Sequence, residues 1–216
     1  MKKFNVSIAL IPVILAMAGL LNDTRSQDFD YGRIKNNSYQ NKYFNFEMKI
    51  PSGWVVLTKE QADELTKAGQ EMVAGDDEKL QAVMKASEIN TANLLAVYQF
   101  ELGSPVDFNP NFMIVAENIK NAPGIKKGSD YLFQSKRILE QGQFKYDYLS
   151  PDFELENING TEFYKMIAKL NYMGLEIEQV YYSTVLKGFS FNVIISYTSE
   201  EQKEILLAAL NTMTFR

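Results

Sequence analysis

Residues 159–197 read NGTEFYKMIAKLNYMGLEIEQVYYSTVLKGFSFNVIISY, and this stretch decides the fold. Asn159-Gly160 is a dipeptide that accepts positive φ at both central positions, the signature of a two-residue hairpin turn. Beyond it Tyr164, Met166, Ala168, Leu170 and Tyr172 recur at every second position and fall on one face of a strand. Gly174 breaks that strand, and Leu175 to Leu186 returns. Lys187-Gly188 turns the chain again, and Phe189, Phe191, Val193, Ile195 and Tyr197 form another apolar face. Strands joined by turns this short must run antiparallel. Upstream, Phe144 to Leu149 and Phe153 to Ile158 are candidate strands. Downstream, Ser199 and Gln202 stand three apart as a capping box, opening a helix that carries Ile205, Leu206, Ala209 and Leu210.

Toward the amino terminus, Phe44, Phe46, Met48 and Ile50 alternate with Asn45, Glu47 and Lys49, the period of a half-buried strand. Pro51-Ser52-Gly53 forces a turn, and Trp54 to Leu57 resumes extended structure. Thr58 with Gln61 predicts a capped helix over 59–74. Gly75 interrupts it, and Asp76-Asp77 can cap a second helix to about Glu88. Leu94 to Leu102 and Phe112 to Ala116 read as strands, the first ended by Gly103-Ser104-Pro105. After Pro123-Gly124 and Gly128, Ser129 or Asp130 can cap a helix bearing Tyr131, Leu132, Ile138 and Leu139 and ending near Gly142. The order is strand, two helices, two strands, helix, a run of strands and a closing helix. That predicts an α+β fold with a single twisted antiparallel β-sheet flanked by helices, an α/β/α sandwich.

Residues 1–27 read differently. Lys2 and Lys3 precede an apolar run from Ile8 to Leu21, and Ala16-Met17-Ala18 supplies small residues of the kind signal peptidase prefers. The expectation is a cleaved secretory signal peptide over 1–27, a flexible polar arm over 28–42 and one α+β domain over 43–216. The product is then extracytoplasmic, periplasmic or secreted, and meets the membrane only through the signal segment before cleavage. No Cys follows the apolar core, so a lipoprotein anchor is not expected.

Composition narrows the chemistry. The 216 residues contain no His and no Cys. Imidazole-based triads, thiolate nucleophiles and thiolate metal sites are therefore excluded. With 22 basic and 27 acidic residues the net charge is -5; loss of residues 1–27 removes three basic and one acidic side chain and makes it -7. A nucleic-acid partner is not expected, because phosphate contacts need clustered Lys and Arg.

At Tyr43-Phe44-Asn45-Phe46-Glu47-Met48-Lys49-Ile50-Pro51-Ser52-Gly53-Trp54 the chain resembles the opening of PsbP/DcrB-like domains, where an aromatic first strand runs into a Pro-x-Gly-Trp turn. Ser190 to Tyr197, then Thr198-Ser199-Glu200-Glu201 and the helix leading to Phe215, resembles their closing pattern. Phe108-Asn109-Pro110-Asn111 is a third likeness, and together they cover 43–216. The resemblance implies a PsbP-like α/β/α sandwich and an extracytoplasmic, mostly non-enzymatic scaffold, of the kind that serves as assembly factor, accessory subunit or lipoprotein. The missing lipoprotein Cys departs from it, and no functional residue carries over, because the matching positions are fold positions.

Candidate sites are few. Asp76-Asp77-Glu78 lacks the alternating ligand spacing of a Ca²⁺ loop and reads as a helix amino terminus. Asp28 and Asp30 have that spacing without a downstream Glu. Glu154 with Glu156, and Glu176 with Glu178, are same-face strand pairs that read as solvated surface rather than a glycosidase pair. Gly124-Ile125-Lys126-Lys127-Gly128 lacks the ending of a phosphate loop. The unusual feature is aromatic content, 12 Tyr and 14 Phe, with Tyr146, Tyr148, Tyr181 and Tyr182 as candidate partner-binding residues. No catalytic, cofactor-binding or metal-binding residue is assigned. The expected function is an exported non-catalytic binding or accessory domain that holds a protein or small ligand of the cell envelope on a sheet face or in a sheet–helix groove. The alternatives are a carboxylate-dependent hydrolase with a buried acid, or a carrier of a small apolar ligand.

Overall fold

The structure, a computed structural model, describes residues 30–216. The signal peptide expected over 1–27 and Asp28 lie outside the described residues. Along the chain run β1 (Arg33–Lys35), β2 (Ser38–Asn41), β3 (Phe46–Lys49), β4 (Val55–Val56), α1 (Lys59–Ala74), α2 (Glu78–Asn90), β5 (Thr91–Tyr98) and β6 (Asn111–Asn118). Then come α3 (Gly128–Gln141), β7 (Tyr148–Leu149), β8 (Glu154–Ile158), β9 (Thr161–Tyr172), β10 (Leu175–Leu186), β11 (Phe189–Tyr197), α4 (Glu200–Leu210) and β12 (Thr214–Phe215).

The element order and the antiparallel pairing agree with the α+β expectation. Each short turn between β8 and β11 has Gly at its second central position. Asn159 and Gly160 have φ of 48° and 93°, Met173 and Gly174 51° and 84°, and Lys187 and Gly188 52° and 80°. Both central residues of a type I′ turn need this left-handed backbone. Ladder register follows from the turns: Lys165 pairs with Glu154 and with Tyr182, and Lys169 with Glu178. The Thr58 box forms as expected, its hydroxyl accepting from the Gln61 N–H while the Gln61 side chain accepts from the Thr58 N–H. Asp77 caps α2 through the N–H groups of Lys79 and Leu80. At α4 the Ser199 hydroxyl accepts from the Gln202 N–H, but the Gln202 amide reaches back one residue further, to Thr198.

Three expectations are corrected. The sheet is not single: β4-β5-β6-β11-β10-β9-β7, with β8 also on β9, forms one sheet, and β1-β2-β3-β12 forms a second. Seven strands on the main path span about 29 Å at 4.8 Å per step, whereas the 11 residues of α4 reach only about 16 Å. One helix cannot cover that apolar face, so the small sheet covers the remainder. Second, the supposed arm over 28–42 carries β1 and β2, and Tyr39 and Asn41 are buried. Third, Phe144 to Tyr146 lies in a loop, because only Tyr148–Leu149 finds a partner on β9.

The two faces of the large sheet differ chemically. Under the small sheet and α4, Phe191 is ringed by Phe44, Phe46, Phe163 and Phe215 at centroid distances of 5.0 to 6.3 Å. Burying each ring is worth about 2–3 kcal/mol, and edge-on pairing adds about 1 kcal/mol. Under α1, α2 and α3 the other face mixes Val115, Met166 and Ile194 with buried polar residues: Asn93, Glu117, Ser183, Ser190 and Asn192.

Candidate functional site

On the α4 side, the ladder register sets three rows across β9, β10 and β11. Lys165, Tyr182 and Val193 form one; Ile167, Val180 and Ile195 the next; Lys169, Glu178 and Tyr197 the third. Two polar rows thus flank an apolar one. Helix α4 leaves Tyr197 through the cap at Ser199 and runs past these rows, placing Lys203, Leu207 and Asn211 over them. Between helix and sheet lies a cleft of about 490 Å³, floored by Ile158, Ile167 and Val180 and walled by Leu207 of the helix. Next to the Asn157–Asn211 end, the Asn159 side-chain amide donates to the carbonyls of Asn211 and Met213.

The charges around the cleft are paired. Lys165 Nζ lies 2.7 Å from Glu154 and 2.8 Å from Glu156, at the hairpin partner position that the Asn159-Gly160 turn dictates. Burial alone would lower the Lys165 ammonium's pKa, but the hydrogen bonds and charges of the two glutamates raise it well above its ordinary value. Glu178 accepts from the Tyr197 hydroxyl and pairs with Lys169. Burial pushes its carboxyl up; the bonds from Lys169 and Tyr197 and the charges of Lys169 and Lys203 reverse this and hold it below the ordinary range. A carboxylate held ionised in this way is a poor proton donor, and Glu154 is likewise lowered by its bond from Lys165. Glu176 is exposed. Glu154 and Glu178 are therefore held as carboxylates, a state unsuited to the acid of a glycosidase pair.

The four candidate tyrosines do not share a surface. Tyr181 and Tyr182 point to opposite faces of β10 and are 4% and 3% exposed. Tyr181 packs beneath α3 and hydrogen-bonds Gln179 at 3.0 Å and the half-buried Tyr146. Tyr148 is 44% exposed at the sheet edge. Tyr182 alone of the four lines the cleft. Its hydroxyl's pKa is raised by burial and by the Glu156 charge, and it makes no hydrogen bond with the described residues.

Two features escaped the reading of the residues. Lys165 follows from turn register once Asn159-Gly160 is accepted as a two-residue turn. Glu117 lies one residue past the strand expected over 112–116; its alternation with Met113 and Val115 places it inward. It is 2% exposed, and its carboxyl accepts from the Tyr131 hydroxyl at 2.8 Å. Burial pushes this carboxyl up to about 8, with the Tyr131 bond partly opposing. This is the one described carboxyl raised toward neutral pH by burial, but it lies beneath α3, on the opposite face from the cleft.

Other candidates are structural. The Asp30 carboxylate accepts from the N–H groups of Gly32 and Lys42, and the Asp130 carboxylate from those of Lys126 and Lys127. A second, shallower groove of about 400 Å³ lies on the other flank of α4, between Ile205 and the Pro51–Trp54 turn. Among the described residues no helix is long and apolar enough to cross a membrane.

No family model matches the chain, and no curated protein does. Solved structures do. Cyanobacterial PsbP from Synechocystis is similar at 13% identity and a TM-score of 0.46, with 83% of this chain and 91% of that one covered. LpqN of Mycobacterium tuberculosis, described as involved in cell envelope biogenesis, is similar at 11% identity and a TM-score of 0.42, covering 78% and 82%. A Bacteroides thetaiotaomicron protein is similar at 13% identity and a TM-score of 0.43; 85% of this chain is covered, which spans about half (49%) of that longer chain. PsbP, the family that the sequence resembles, is thus among the structures to which the chain is similar.

Proposed function

We propose that this chain is an exported, non-catalytic binding or accessory domain that holds its partner in the cleft between α4 and β8–β10. The observation that carries the reading is the cleft itself: an apolar floor bordered at both ends by charges. Such a site grips an amphipathic ligand by burial of its apolar part and orients it by its polar groups. Ion-paired carboxylates and the absence of His and Cys favour holding over bond making. Export is supported by the basic head and apolar run of residues 1–27.

The test is an amide-resolved NMR titration of the full-length chain with a panel of apolar, anionic, cationic and zwitterionic fragments. Shifts clustered on β9, β10 and α4, and lost in Leu207→Trp, which fills the cleft from the helix, are the expected result. Shifts confined to other surfaces, or substrate turnover abolished by Glu117→Gln, overturn the proposal.

A further inference from the structure

We infer that Asn159 is the deamidation site of this chain, protected while its side-chain amide ties the β8–β9 hairpin to the end of α4, and that its conversion to a carboxylate releases that tie irreversibly. The inference goes beyond the binding reading and holds whatever the cleft between α4 and the sheet takes.

The chemistry starts at the turn. Asn159-Gly160 is the one Asn-Gly pair among the 216 residues; every other Asn precedes a residue with a side chain. Deamidation needs the following backbone nitrogen to reach the Asn carboxamide carbon, and glycine leaves that approach unobstructed. The Gly160 nitrogen bonds to Asn159 Cγ, the Cγ–Nδ2 bond breaks, and ammonia departs with the proton that the Gly160 nitrogen gives up. Water then opens the cyclic imide, at Cγ to leave aspartate or at the main-chain carbonyl carbon to leave isoaspartate. The net change is one water consumed and one ammonia released. Asn159 and Gly160 are both exposed, so water reaches the turn.

In the closed turn each reacting group has another partner. The Gly160 N–H donates to Asn157 Oδ1 at 2.8 Å. Asn159 Nδ2 donates to the Asn211 carbonyl at 2.8 Å and to the Met213 carbonyl at 2.7 Å, which uses both of its hydrogens. Ring closure requires the carboxamide to swing away from α4 and the Gly160 N–H to leave Asn157. The reaction therefore runs through an opened turn, and the frequency of opening sets its rate.

The product cannot close again. A carboxylate has no hydrogen to donate and would set its negative charge against two carbonyl oxygens. Asn211 is the C-cap of α4, where the helix macrodipole is negative as well. Repulsion thus takes the place of the tie. What the tie holds is the last stretch of the chain: Met213, fully buried, and β12, whose Phe215 packs on Phe46, Phe163 and Phe191 at 5.5 to 6.0 Å. Asn157 and Asn211 also line the cleft, so that end loosens with them.

Peptide mapping by mass spectrometry tests this on the full-length chain, incubated at mildly alkaline pH both folded and in urea. Aspartate and isoaspartate should appear at 159 before any other Asn is modified, and roughly tenfold or more slowly in the folded chain than in urea. Asn157→Ala, which frees the Gly160 N–H, should speed the modification of the folded chain. Asn159→Asp reproduces the product; amide exchange over residues 211–215 should rise roughly tenfold, while amides of β9, β10 and β11 stay protected and so report an intact fold. Equal rates in the folded and unfolded wild-type chain, or earlier modification of another Asn, overturn the inference without needing any variant to fold. So does exchange over residues 211–215 in Asn159→Asp that is no faster than in the wild-type chain.

Discussion

Glu117→Gln should stabilise the protein by an amount that grows with pH. The carboxyl is buried between β6 and α3, its pKa raised by burial from an ordinary 4.5 to about 8. Between those values the folded state holds a proton that the unfolded state has released, so folding must take one up. The wild-type chain is therefore most stable below pH 4.5 with respect to this group, and loses that stability as pH rises through about 8. At about 1.4 kcal/mol per pH unit, the loss is roughly 3 kcal/mol by pH 7 and about 5 kcal/mol above pH 8. Gln has the same shape and never ionises. Its carbonyl can accept from the Tyr131 hydroxyl as the carboxyl does at 2.8 Å. Its amide can donate toward Thr91 Oγ1, a buried atom without a partner on the residue directly across the ladder. Urea unfolding of both proteins at pH 4.5, 6, 7 and 8.5 should give curves that coincide in acid and diverge by these amounts. Tyr131→Phe, which removes the bond opposing the upward shift, should leave the onset of the pH dependence near pH 4.5 and extend its upper end to still higher pH. A wild-type-to-variant difference that stays flat from pH 5 to pH 8.5 would refute the reasoning.

Three further outcomes follow from packing. Gly128→Ala should lose about 3 kcal/mol or more in chemical denaturation, because the new Cβ would lie 1.9 Å from the Ser183 carbonyl oxygen, a backbone atom of β10 that cannot move alone. Asn159→Ala removes the amide bonds to the Asn211 and Met213 carbonyls and places Ala at a φ of 48°; a loss of about 2 kcal/mol, with faster amide exchange in β12, is expected. Phe191→Ala, at the centre of the aromatic ring cluster, should cost about 4 kcal/mol by thermal or urea unfolding. Retention of full stability in any of the three would mean that the site relaxes in a way that this packing does not allow.

Local chemistry accounts for what could be read directly. Thr58 with Gln61, Gly75, and the turn pairs at 159–160 and 187–188 act on backbone groups within a few residues, so helix ends and hairpins follow from them. Once the Asn159-Gly160 turn is set, even the Lys165–Glu154 ion pair follows by counting. Glu117 was hidden only by ending a strand one residue early. The burial of Tyr181 and Tyr182 was not legible in the same way, because alternation says that they face opposite sides and not that both sides are covered.

From the residues alone came the α+β class, the antiparallel order and the absence of imidazole and thiol chemistry, since each depends on short-range pattern or on inventory. Only the tertiary structure decided that a second sheet shares one face with α4, that β1 and β2 belong to it, and that a charged cleft remains at its margin. The physical reason is one of area: α4 is shorter than the sheet is wide, and which part of the face it leaves open depends on contacts between residues more than a hundred positions apart, such as Phe46 with Phe191 and Phe215.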